Sequence, residues 1–189
     1  MNDIFSGKSV RLSAVDPDDF SRMFTRWSQD SEYMRLLNGN AIRLNSIAAN
    51  KKWMEKELEG PSSGLYFFSI RSLADDQLIG EIVLDVSNWT SRDAFVGLSL
   101  GERENWGRGY GTDVMNVLLR FAFTEVNLRR VTLVVFEYNP RAIRSYEKAG
   151  FRHEGRYRKF LNREGRRWDM LLMGIQREEW MEQNMESHQ

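Results

Sequence analysis

Cysteine is absent from this chain of 189 residues, and histidine occurs only twice. The first absence excludes disulfides, thiolate metal sites and a cysteine nucleophile. The second leaves His153 and His188 as the only imidazoles, too few for a His-built zinc site or a secure triad, and no metal is expected. His188 also falls in a terminal stretch that should fray. Excess charge is missing as well. The 27 Lys and Arg balance the 27 Asp and Glu, so no overall field draws the chain to nucleic acid or a membrane surface. No apolar run approaches the roughly 18 residues of a membrane span, and the N-terminus lacks the basic-then-apolar order of a signal peptide. A soluble, cytoplasmic protein is expected, with neither nucleic acid nor membrane as partner.

What is present suits an ordinary folded protein. Apolar residues make up 41% and aromatics 12%, enough to exclude disorder and to build one sizeable core. The length fits a single domain over residues 1–189, with 176–189 as a partly frayed tail. The three prolines all fall at expected helix boundaries. Residues 8–14 alternate as a strand. Asp16 and Pro17 then open a helix whose apolar face carries Phe20, Met23, Phe24 and Trp27. Residues 28–43 read as irregular, with Asn38-Gly39-Asn40 as a turn. A second helix over 45–58 is closed by Gly60-Pro61. Strands follow at 65–70, 78–86 and 94–100, separated by polar turns.

A glycine loop and a helix over 114–126 lead to an apolar strand at 131–136. A helix opened by Asn139-Pro140 and ended by Gly150 precedes two more strands, 151–161 and 167–175. A meander of strands feeding βαβα units predicts an α/β (α+β) fold. Its mixed, mostly antiparallel sheet of about seven strands is flanked by about four helices.

The chemistry concentrates in two motifs. In Glu104-Asn-Trp-Gly-Arg-Gly-Tyr-Gly-Thr112, three alternate glycines precede a helix start, where inward N–H groups and the positive dipole end suit a phosphate or pyrophosphate. No Lys follows the glycines, which excludes a Walker loop. The spacing and the late position also miss the dinucleotide fingerprint. Simple turn chemistry is the plainer alternative. The second motif is Asn139-Pro-Arg-Ala-Ile-Arg-Ser-Tyr-Glu-Lys-Ala-Gly-Phe151. Asn139, Ala142, Ile143 and Tyr146 share one helix face, with Asn139 and Tyr146 roughly 10 Å apart. A long thin ligand could touch both, although a half-buried core tyrosine is the ordinary role for Tyr146.

These two motifs, in this order, resemble those of the GNAT superfamily of N-acetyltransferases. The likeness is strongest to the branch of the ribosomal-protein N-terminal acetyltransferases and spermidine acetyltransferase. Leu128-Arg-Arg-Val, Glu154-Gly, Val10-Arg-Leu and Trp168-Asp-Met extend it along nearly the whole chain. The resemblance implies acetyl-CoA as co-substrate and a sheet splayed in the middle. It places the pyrophosphate on the loop Arg108, Gly109, Tyr110, Gly111 and Thr112, with Trp106 and Gly107 also among the cofactor-binding residues. It sets the pantetheine arm beside Leu98, Ser99 and Leu100, with Asn139 touching the arm. An amine would attack the thioester directly, backbone donors near Leu98 would hold the oxyanion, and Tyr146 would protonate the leaving thiolate.

The chain departs from the resemblance at Phe95, where many relatives carry a Glu as general base. Glu81, Asp85 or Asp169 could act instead through water, or the amine could lose its proton to solvent. Arg141, Arg144 and Lys148 are further candidates for CoA phosphates. Asp30, Glu32, Glu55, Glu57 and Glu59 could attract a cationic acceptor, although Glu55 and Glu59 suit a wet helix face. The acceptor stays open between a protein N-terminus, a polyamine and another small amine. Two other functions stay open: an acyl-CoA-binding or sensor module without turnover, and a nucleotide-dependent enzyme of another class. Relatives often pair, so a homodimer is an expectation; Trp53, Trp89 and Trp180 would mark its surface if exposed, with burial the simpler account.

Overall fold

A computed structural model describes residues 3–59 and 64–186. Strand β1 (Val10–Ser13) leads into helix α1 (Pro17–Trp27). The Asp16 carboxylate caps α1 by accepting from the N–H groups of Asp18 and Asp19 at 2.8 and 3.0 Å. Helices α2 (Ser31–Leu37) and α3 (Ile47–Glu59) follow, then the meander β2 (Leu65–Ser72), β3 (Leu78–Asn88) and β4 (Asp93–Leu100). A 3-10 turn at Arg103–Asn105 and the glycine loop precede α4 (Tyr110–Thr124). The chain closes with β5 (Arg130–Phe136), α5 (Pro140–Lys148), β6 (Arg152–Arg163), β7 (Arg166–Gln176) and α6 (Arg177–Glu186).

The seven strands form one sheet in the order β1-β2-β3-β4-β5-β7-β6. Every pairing is antiparallel except β4 with β5, which is parallel. Alternation along β3 splits the sheet's two faces. Ile82, Leu84 and Val86 join the main core beneath α4, whose Leu118, Leu119 and Phe123 are fully buried. Glu81 and Val83, on the opposite face, line a cleft. A smaller core of Trp27, Tyr33, Met34 and Leu78, with Trp106 against it, ties α1 and α2 to the end of β4. The Trp27 ring lies so close over Gly101 that a Cβ there would sit 1.9 Å from it.

Three features differ from the sequence expectation. Residues 28–43 contain α2, a seven-residue helix capped by Asp30 and too short to show a period; burial of Tyr33 and Met34 holds it in place. The tail, expected to be partly frayed, carries the ten-residue α6, anchored by Trp180 against Phe123 at 5.5 Å. Six helices are therefore described rather than about four. Trp180 is half-buried, as the simpler account had it, whereas Trp53 and Trp89 are 44% and 48% exposed. Gly60-Pro61, expected to close the second helix, and His188 lie outside the described residues. Among those residues no helix is long and apolar enough to cross a membrane.

One side chain fastens the edge of the sheet to α4. The Asp113 carboxylate accepts from the N–H groups of Lys8, Ser9 and Val10 at 3.0, 2.7 and 3.2 Å and from the Ser9 hydroxyl at 2.9 Å. Replacing it orphans three backbone donors at once. Asp113→Ala is expected to lower stability by about 3 kcal/mol, read as a reduced urea midpoint with unchanged slope. A loss below about 1 kcal/mol would show that water replaces the carboxylate without cost.

Candidate active site

The site begins where two neighbouring strands separate. β4 and β5 pair only through Asp93, Ala94 and Phe95 against Arg130, Val131 and Thr132. Beyond that point each keeps its outer partner, β3 and β7 respectively, and the two diverge. The opening is part of a cleft of about 980 Å³, the size of a small-molecule or cofactor site. The Gly101 N–H donates to the Ile79 carbonyl at 3.0 Å. Antiparallel alternation then turns the backbone groups of odd-numbered residues of β4 toward β3 and those of Val96, Leu98 and Leu100 into the gap. The Leu100 carbonyl accepts from the Trp106 indole at 2.8 Å. Residues 96–98 are thus left as an open strand edge. Ser99 differs from its neighbours: its backbone faces β3, and its buried hydroxyl shares a 2.7 Å hydrogen bond with Tyr33.

The glycine loop closes one end of the cleft. Gly107 and Gly109 have φ of +74° and +89°, and a Cβ on either would meet nothing within 4 Å. Backbone conformation, not space, therefore demands glycine at both. Gly109 is the N-cap of α4 and offers no capping side chain. The first ladder bond there is Asp113 N–H to the Gly109 carbonyl at 3.1 Å, which leaves the amides of Tyr110, Gly111 and Thr112 for an anion. At Gly111 a Cβ would come within 3.0 Å of the Ser145 Oγ, and Thr112 bonds the same hydroxyl at 3.0 Å, so α4 and α5 start side by side. Trp106, Gly107, Gly109, Gly111 and Thr112 line the cleft; Arg108 and Tyr110 stand outside it, the guanidinium 5.7 Å above the ring.

Helix α5 supplies the opposite wall. Asn139 caps it, its Oδ1 accepting from the Ala142 N–H at 3.2 Å. Asn139, Ala142 and Tyr146 all line the cleft, as do Arg141, Arg144 and Lys148. Arg141 lies 4.3 Å over the Trp106 ring and pairs with Glu32 at 3.2 Å. Tyr146 is buried, and burial pushes its phenol up to about 12. It is therefore protonated at neutral pH and holds a proton to donate.

The structure separates the three carboxylates named as stand-ins for a base. Asp85 is exposed, in register with Phe95, which is also exposed. Asp169 pairs with Arg156 at 3.1 Å and accepts from the Lys159 N–H at 2.7 Å. Neither lines the cleft, and Glu81 does. Its Oε2 is sealed from solvent without a hydrogen-bond partner, and burial pushes its carboxyl up to about 8. Tyr33, whose phenol is raised by burial and then by the charge of Glu81, also lines the cleft, and no signal in the sequence pointed to it. Among the described residues no cluster of three or more His, Asp or Glu could hold a metal.

Comparison with known proteins agrees with this geometry. Residues 9–152 match the acetyltransferase (GNAT) domain model. The uncharacterized N-acetyltransferase YokL of the SPbeta prophage of Bacillus subtilis is 28% identical over 178 residues, 93% of this chain and 94% of that protein. The probable N-acetyltransferase YjcK of the same organism is 31% identical over 142 residues, 75% of this chain and 72% of YjcK. Among solved structures, spermidine N-acetyltransferase from Vibrio cholerae in complex with CoA and spermine superposes with a TM-score of 0.79 at 23% identity. The match covers 91% of this chain and 98% of that one. A splayed sheet, a glycine-led helix N-terminus and a sequence matched over most of its length make this chain an acetyltransferase of the GNAT family, with acetyl-CoA as its co-substrate.

Proposed function

We propose that the protein transfers the acetyl group of acetyl-CoA to a primary amine by direct attack of that amine on the thioester. One observation carries this reading: the open strand edge, the uncapped start of α4 and the buried Tyr146 all line a single cleft. The pyrophosphate sits on the amides of residues 110–112, with Arg108 at the rim and Arg144 and Lys148 within reach of phosphate charge. The pantetheine arm lies along the gap between β4 and β5 and bonds the free edge at residues 96–98 as an added strand would. Asn139 flanks the arm. The Leu98 N–H points at the thioester oxygen and stabilises the negative charge that develops there. As the C–S bond breaks, Tyr146 passes its proton to the thiolate. A protonated phenol in an apolar wall suits this role, and no enzyme nucleophile is required.

Tyr146→Phe should lower kcat by about 100-fold or more while leaving the affinity for acetyl-CoA within a factor of about two. A colorimetric thiol reagent measures CoA release, and the enzyme has no cysteine to contribute background. A variant with full kcat would remove Tyr146 from the chemistry. If amines release no CoA while acetyl-CoA still raises the melting temperature, the protein is a binding module instead. Gly109→Ala tests the loop separately. A side chain at φ +89° costs about 1–2 kcal/mol, which the loop sheds by leaving its anion-binding shape. Acetyl-CoA affinity should fall on the order of tenfold by calorimetry, whereas unchanged affinity would place the pyrophosphate elsewhere.

A further inference from the structure

Glu81 is the one Asp or Glu among the described residues that line the cleft. Strand register fixes its position: it pairs with Ser69 of β2 and Ser99 of β4, at the level where β4 presents its free edge to the gap. The acids that might have made this region broadly anionic are already engaged. Arg103 binds Asp30 at 2.7 Å and Glu32 at 2.8 Å, and Arg141 takes the other oxygen of Glu32. The lining of the cleft also includes the apolar Leu37, Phe67, Val83, Phe136, Leu161 and, 51% exposed beside the β6 bulge, Phe160.

Granting the acetyltransferase reading, we infer that the acceptor carries a single positive charge on an apolar body, and that Glu81 receives both its ammonium and its proton. As the one acidic side chain that lines the cleft among the described residues, Glu81 offers a place for one cation. A polyamine would seat one ammonium there and leave the next in a cleft with no second acidic side chain among the described residues, where an unpaired charge is costly. The bound ammonium gives one proton to the Glu81 carboxylate, and the freed nitrogen lone pair forms the C–N bond at the thioester carbonyl. The C–S bond then breaks, Tyr146 protonates the thiolate, and the second nitrogen proton restores the phenol through water. Glu81 returns its proton to solvent. The titratable groups sharing the cleft are Tyr33 from α2 and Tyr146, Arg141, Arg144 and Lys148 from α5.

The test compares phenethylamine, a short peptide with an apolar N-terminal residue, and spermidine as acceptors for the wild type and Glu81→Gln. Either of the first two should exceed spermidine in kcat/KM by about 100-fold, and which one leads identifies the source of the amine. E81Q should lose about 100-fold in kcat/KM with acetyl-CoA affinity unchanged. Its fold has its own readout. A carboxyl raised from 4.5 to about 8 costs the wild type stability progressively as pH rises through that window. The melting-temperature advantage of E81Q should therefore grow across it and level off above. Preference for spermidine, or full activity in E81Q, overturns this inference and leaves the acetyltransferase standing. No CoA release with any amine and no binding of acetyl-CoA overturns both.

Discussion

Beyond Phe95 and Thr132 the adjacent strands β4 and β5 cease to pair, and most of the functional geometry follows from that gap. A buried strand edge without partners is expensive, so the fold must either cover it or give it a ligand. Here the cover is partial. The Trp106 indole satisfies the Leu100 carbonyl, and the same ring is sandwiched into the smaller core beside Trp27 and Tyr33. The remaining edge faces a cleft whose far end is the uncapped start of α4. Two sets of unsatisfied backbone donors, one from a strand and one from a helix, thus address the same space. An extended ligand with a phosphate at one end satisfies both.

The side chains complete a division of labour set by burial. On α5, hydrocarbon around Tyr146 holds the phenol in its protonated form. On β3, burial of Glu81 raises its carboxyl toward neutrality. The same physical cause therefore keeps a proton on the phenol of one wall and makes the carboxylate of the other more basic. Arg103 and Arg141 engage Asp30 and Glu32, and Glu81 is the one acidic side chain lining the cleft among the described residues.

What the sequence disclosed and what it hid divide along physical lines. Positive φ at Gly107 and Gly109 is adopted most readily by glycine, and a helix that begins with Asn139-Pro140 announces its own start, so both motifs were readable. The strands at 78–86 and 94–100 were readable because alternation and polar turns are local. Helix α2 was not, because seven residues show no period and its stability comes from burial against Trp27 and Leu78. Glu81 was named only beside Asp85 and Asp169. Asp85 shares the face of Glu81 but lies four residues along β3 and outside the cleft, and Asp169 is engaged by Arg156 and the Lys159 N–H; only register and tertiary contacts separate the three. Tyr33 was silent for the same reason: its partner Ser99 lies 66 positions away.

The claim that the strand gap and the start of α4 hold one extended cofactor is tested most directly by amide hydrogen exchange, residue by residue, with and without CoA. The account predicts slowed exchange at Leu98 and at Tyr110, Gly111 and Thr112 together, with little change at residues 81–86 of β3, already bonded on both sides. Tight CoA binding that leaves Leu98 and the first amides of α4 unprotected would contradict it.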